Sequence, residues 1–271
     1  MRIIYGKTNW ECKELALEDY LDRVVADGFD AAELYIPLLE IPPAEVKALV
    51  ESRGLQFIGD VATKGDSPQE HLESFNRYAD YALEAGSILI NSHTSRDFFS
   101  FEDTARIFER GIELAHDSGI PVAHETHRSR ALYSAIDTRR YLEALPELRI
   151  NADFSHWFNV HETDLRDQQD TLDLAVSRAI HIHARVGHEQ GPQVNDPRAP
   201  EWSEHVGRHL ELWQAIVSAR QAEGADFLTI TPEFGPAPYM PAAPHSQEPL
   251  ADCWEVNVHM RDLLRRELNV G

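Results

Sequence analysis

Short apolar runs alternate with amphipathic stretches along the whole chain. Arg2 to Tyr5 reads as a strand, and LALEDYLDRVVADG behind it places Leu17, Tyr20, Leu21, Val24 and Val25 at helical spacing. AAELYIP (31–37) predicts a second strand, followed by PPAEVKALVESRG, a helix opened by proline and closed by Gly54. LQFIGDVAT (55–63) predicts a third. The helix after it, SPQEHLESFNRYADYALEAG, has Ser67 as N-cap, Glu70 as capping-box partner and Gly86 past its end. Five further pairs follow: SILINSHTS with SFEDTARIFERGIELAHDSG, IPVAHETHR with IDTRRYLEALPE, LRINADFSHW with DLRDQQDTLDLAVSRA, AIHIHARV with WSEHVGRHLELWQAIVSARQAEG, and FLTITPEFG with LADCWEVNVHMRDLLRRELN.

Eight strand-then-helix units recur at a mean spacing of about 34 residues, which predicts an α/β fold, a single (β/α)8 barrel. Continuous apolar strands flanked by helices imply a parallel sheet covered by those helices. No linker or composition break divides residues 1–271, so one domain is expected. Two connections are long, 186–201 after the seventh strand and 234–249 after the eighth. Long loops in a compact domain are commonly functional. His188, Trp202, Tyr239 and His245 in or beside them are candidates for a lid over a pocket.

Composition narrows the partners. The formal net charge is −21, which disfavours nucleic acid and anionic membranes as partners. No run of about 18 apolar residues is present and MRIIYGKTNW lacks an apolar signal region, so a cytoplasmic protein without a membrane span is expected. Cys12 and Cys253 are far apart and form no CxxC; buried free thiols are expected. A homo-oligomer is compatible with a barrel of this size.

The chemistry sits where apolar runs turn polar. HETHR (124–128), NADFSHW (151–157), HIHARV (181–186) and TPEFGP (231–236) each end a strand, at the face where such barrels build active sites. Alternate strand residues share a face, so Glu125 goes with His127, Asp153 with Asn151, His183 with His181 and Arg185, and Glu233 with Thr231. Crowded carboxylates repel one another, and a divalent ion removes that conflict. Three carboxylates and one imidazole suit Mn or Mg, with Co or Zn as alternatives.

These motifs, with HETH, the Asp-x-x-His of NADFSH, and PEFG foremost, resemble the xylose isomerase-like TIM-barrel superfamily, which includes sugar isomerases, epimerases and endonuclease IV. The resemblance implies one divalent metal ion held by Glu125, Asp153, His183 and Glu233. His183 fits better than His181, which stays open as the alternative ligand. His156 takes the Asp-x-x-His position and is expected to contact substrate. Arg185, His93, Glu33, Trp10 and His188 complete the expected substrate-binding set.

A carbon-bound hydrogen beside a carbonyl is a very weak acid, and its removal needs a Lewis acid and a positioned carboxylate. The expectation is therefore a metal-dependent isomerase or epimerase. It would act on a small keto sugar or hydroxy-ketone through an enediolate, with Glu125 and Glu233 as the catalytic pair. The alternative is a lyase, a dehydratase or decarboxylase of a keto sugar or keto sugar acid. A non-catalytic metal-binding barrel and an endonuclease IV-like nuclease rank lower, the nuclease because of the acidic charge. A Schiff-base aldolase is disfavoured, because Lys7, Lys13, Lys47 and Lys64 all lie outside the ends of strands five to eight.

Overall fold

The computed structural model describes residues 1–268. Its eight strands are β1 (Arg2–Thr8), β2 (Ala31–Tyr35), β3 (Gln56–Ala62), β4 (Leu89–His93), β5 (Val122–Glu125), β6 (Ile150–Ala152), β7 (Ala179–His183) and β8 (Phe227–Thr231). They form a closed parallel barrel in sequence order. β1 closes on β8, with Ile4 opposite Thr229 and Tyr5 opposite Ile230. The helices of the outer layer are α1 (Leu17–Ala26), α2 (Pro43–Glu51), α3 (Pro68–Glu84), α4 (Phe101–Ser118), α5 (Ala135–Ala144), α6 (Ser155–His161), α7 (Gln169–Arg178), α8 (Ser203–Ala222) and α9 (Cys253–Glu267). The capping box expected at Ser67 and Glu70 opens α3. None of the described helices is long and apolar enough to cross a membrane.

One boundary differs from the sequence reading. LRINADFSHW does not continue as a strand, because β6 stops at Ala152 and FSHW turns into α6. Asp153 makes that turn: its carboxylate accepts from the Ser155 N–H at 3.2 Å and from the Ser155 hydroxyl. His156 therefore stands on the first turn of a helix. The last residue of the helix expected after β8, Asn269, lies outside the described residues.

The core has two parts. A large cluster fills the space between sheet and helices. A small one, of Ile4, Ala31, Ile58, Leu89, Ala123 and Ile180, plugs the barrel interior. Ile180 is an extra residue on β7, since Ile150 pairs with Ala179 but Asn151 pairs with His181. The interior set obeys strand alternation, so two residues further along come Glu33, Asp60, Asn91 and Glu125, and polarity begins there.

Lys7 has the opposite parity and is fully buried outside the barrel. It pairs with Glu11, donates to the Thr8 carbonyl at 2.8 Å and lies 4.5 Å from the Trp254 ring centre. Glu11 also accepts from Asn257 on α9 at 2.9 Å. This lysine is committed to the α1–α9 seam. Cys12 and Cys253 are free and half-buried rather than buried.

His209 on α8 is enclosed against Phe158, with ring centres 4.3 Å apart. Its Nδ1–H donates to the His205 carbonyl at 2.9 Å and its Nε2 accepts from the Gly187 N–H at 3.3 Å. Both ring nitrogens are thus satisfied only in the neutral state, and burial lowers the pKa from 6.5 to about 4. The unfolded chain binds the proton first, so this contribution to stability is complete above about pH 6.5 and is lost as the pH falls towards 4. It amounts to about 3 kcal/mol at most. Urea melts of His209→Gln are expected to show a shallower acid limb across that window than the parent, whereas parallel limbs would remove His209 from the acid sensitivity.

Candidate metal centre and cleft

The four strand-end residues converge. Glu125, Asp153, His183 and Glu233 each offer a ligand atom, and these atoms lie within 4.8 Å of one another. His183 Nδ1 is 3.0 Å from a Glu233 oxygen and 3.4 Å from a Glu125 oxygen. Glu125 Oε1 and His183 Nδ1 are buried with no hydrogen-bond partner among the described residues. Unsatisfied buried acceptors at the meeting point of three carboxylates are costly unless a cation completes them. By donor chemistry and by these orphaned atoms, the residues fit a divalent ion. His181 is drawn away from this group: its Nε2 faces Glu33 at 3.3 Å and its Nδ1 lies 2.7 Å from the Thr229 hydroxyl.

Local structure fixes two of the four candidate ligands. Glu125 ends β5, where the Thr126 N–H donates to the Asn151 carbonyl at 3.1 Å. Glu233 lies two residues past β8 in a loop held from both sides. The Asn257 amide takes the Phe234 N–H at 2.7 Å and donates to the Phe234 carbonyl at 3.0 Å. The Gln193 amide does the same for Gly235, at 2.8 and 3.1 Å.

A cleft of about 310 Å³ opens over the centre. Trp10, Tyr35, Leu38 and Tyr239 form its less polar walls, and Asp60, His93, His127, Arg185 and Glu233 its polar lining. Of the four converging residues only Glu233 lines it. Trp10 and Tyr239 meet edge to face, 4.9 Å between ring centres. The Tyr239 hydroxyl lies 3.2 Å from His127 Nε2.

Arg185 is fully buried and bridges the carboxylates. Its Nη2 pairs with Asp153, lies 3.5 Å from Glu233 and donates to His156 Nε2 at 2.8 Å. Burial opposes its charge, but Asp153 and Glu233 overturn that and raise its pKa further. Burial, with the nearby His127 and Arg185, holds His156 neutral, well below the usual histidine range. Burial likewise lowers His127 to about 3. Burial opposes charge on His93, but Glu125 at 3.1 Å and Asp60 at 3.2 Å raise its pKa to about 9. Burial raises Asp60 to about 6, with His93 opposing. Burial also opposes ionisation of Glu125, and the His93 and His183 rings outweigh it, leaving its carboxyl well below the usual range.

Trp10, His93 and Arg185 thus reach the cleft, and His156 stands behind Arg185. Glu33 does not line the cleft; it is enclosed against His181 and His183. The expectation for His188 is not met. Its ring packs on Trp202 at 4.9 Å, in a cluster with His205, and it too is absent from the cleft lining. Trp202 belongs to that cluster and His245 is exposed, so of the four loop aromatics and imidazoles only Tyr239 covers the centre. A β7 loop folded back on itself through the His188–Gly191 bridge turns His188 aside. Sequence reasoning missed Asp60 and Asn91. The signal was available, since each is a polar residue inside an apolar strand, a place where such groups need partners. The Asn91 amide nitrogen lies 3.3–3.4 Å from oxygens of Glu33, Asp60 and Glu125.

The model of the xylose isomerase-like TIM barrel family matches residues 21–251. No curated protein matches the sequence. Among solved structures the chain is similar to a D-allulose 3-epimerase from Methylomonas sp., at 15% identity over 98% of this chain and 97% of that chain, TM-score 0.66. It is similar also to a 3-keto-D-glucoside 4-epimerase from E. coli, at 17% over 98% and 100%, TM-score 0.62. A third is a probable 3-DHS dehydratase from Bacillus anthracis, at 13% over 99% and 100%, TM-score 0.61. Likeness at these identities speaks for the fold.

Gly235 lets Trp10 close the cleft, because a Cβ there would overlap the indole ring. Gly235→Ala is expected to lower stability by about 1–3 kcal/mol. In a Trp10→Ala background the same change should be near neutral. Equal losses in both backgrounds, measured by urea unfolding, would show that the indole is not what the glycine accommodates.

Proposed function

The chain belongs to the xylose isomerase-like TIM barrel family, and from that premise we propose that it is a divalent-metal-dependent isomerase or epimerase of a small keto sugar or hydroxy-ketone, working through an enediolate. The observation that carries this reading is the convergence of Glu125, Asp153, His183 and Glu233 beneath a cleft of sugar size. These four residues would hold the ion, which when bound supplies Lewis-acid stabilisation of negative charge on a substrate oxygen.

The chain's own groups do the rest. Glu233 lines the cleft and takes the carbon-bound proton. Glu125, expected from the sequence as its acid–base partner, is enclosed and absent from the cleft lining, so its part is to hold the ion from beneath. Arg185 is fixed by Asp153, His156, the Ser155 hydroxyl and the Glu233 carbonyl, which leaves one Nη1–H oriented before substrate arrives. It holds a substrate oxygen by a charge-assisted bond. His93 and His127 face the same space and pair with hydroxyls. Trp10 and Tyr239 cover the carbon face of the sugar and exclude water, which strengthens every polar contact beneath them.

With Mn or Mg added, a panel of free ketoses and keto acids in heavy water is expected to show exchange of a carbon-bound hydrogen and formation of an epimer or aldose. Chelation should abolish both. Glu233→Gln is expected to cut turnover by about 10²–10⁴-fold. Full turnover in Glu233→Gln would remove the proposed base. Loss of water or carbon dioxide from a keto sugar acid would assign a lyase instead. Tight metal binding with no exchange on any substrate would leave a non-catalytic barrel.

A further inference from the structure

We propose that Glu33 is a positioning residue, which holds the His183 ring with its proton on Nε2 and its Nδ1 lone pair turned to the metal. The inference rests on the metal reading above. The two nitrogens of His183 have different surroundings. Nδ1 faces the Glu125 and Glu233 oxygens and has no hydrogen-bond partner. Nε2, on the other side of the ring, is 2.9 Å from Glu33 Oε1. An ionised carboxylate only accepts, and a neutral imidazole has one N–H and one lone pair. With a cation on Nδ1 the ring is neutral, and at Nε2 the Glu33 oxygen at 2.9 Å is nearer than the Asn91 amide nitrogen at 3.4 Å, so the proton belongs on Nε2. The lone pair then points to the side where the other three ligand atoms gather.

Glu33 cannot perform this task by touching substrate. It is 1% exposed and does not line the cleft. It comes from β2, three steps from β7 around the closed barrel. Its carboxylate is held there by a second imidazole, His181, whose Nε2 lies 3.3 Å away and whose Nδ1 lies 2.7 Å from the Thr229 hydroxyl and 3.1 Å from the Thr229 carbonyl. Thr229, His181, Glu33 and His183 form one chain of hydrogen bonds that ends at a metal ligand. Such outer partners orient a ligating ring and raise its basicity.

The test is calorimetric titration of the full-length protein, stripped of metal, with Mn2+. The parent chain is expected to bind one equivalent, and Glu33→Gln to bind it about 10–100-fold more weakly. With saturating Mn2+, turnover of Glu33→Gln should fall with little change in KM, since no substrate contact is lost. A readout that needs no variant uses the diamagnetic Zn2+ form, in which His183 should give a slowly exchanging Nε2–H resonance. Undiminished Mn2+ affinity in Glu33→Gln, or a proton on Nδ1, overturns the role of Glu33 while the metal reading stands. A second equivalent in the parent that Glu33→Gln loses also overturns it, by making Glu33 a ligand. A parent chain that binds no Mn2+ sinks the metal reading and this inference together.

Discussion

Negative charge enclosed inside the barrel is the constraint that the rest of the structure answers. Glu33, Asp60, Glu125, Asp153 and Glu233 all point into one interior, and each is less than a tenth exposed. Two like charges 4 Å apart at a protein's usual effective dielectric repel by about 4 kcal/mol. Five unmatched charges at such spacing would exceed the stability of an ordinary domain. The fold supplies Arg185 across Asp153 and Glu233, imidazoles beside Glu33, Glu125 and Asp60, and the Asn91 amide among three carboxylates. An amide has two hydrogens and cannot serve three acceptors at once. The remaining deficit is concentrated at Glu125, His183 and Glu233, whose donor atoms fit a divalent cation.

The scaffold makes that concentration tolerable. Below the polar layer the interior is sealed by Ile4, Ile58, Leu89 and Ile180, so the charged groups face only each other and the cleft. Above it the ligands are carried on strand ends or clamped loops. The β8 loop is the extreme case: two side-chain amides, one from α9 and one from the β7 loop, each grip a peptide unit beside Glu233.

Much of this was legible in the sequence, and the failures have a common cause. Eight repeats of strand and helix follow from periodicity alone, because sheet and helix impose different spacings on the same apolar requirement. Glu125, Asp153, His183 and Glu233 stand out because each ends an apolar run, and strand alternation then puts them on one face. Side chains whose fate depends on loop path were not legible. His188 and Trp202 turn to each other, and nothing in their spacing distinguishes that from covering the cleft. Glu33 was recognised as inward-facing, but its partners come from β7, nearly 150 residues away, and no local pattern encodes that meeting. Asp60 and Asn91 were passed over as strand interior, although a buried polar side chain always requires an explanation.

The clamp on Glu233 also has a consequence for how the molecule is made. A chain synthesised from its N-terminus carries Glu33, Asp60 and Glu125 long before Asn257 leaves the ribosome. Until α9 docks, Glu11 lacks its amide partner and the loop after β8 has only one of its two grips. The geometry around Glu233 is therefore the last thing the growing polypeptide acquires, after the rest of the barrel has been made.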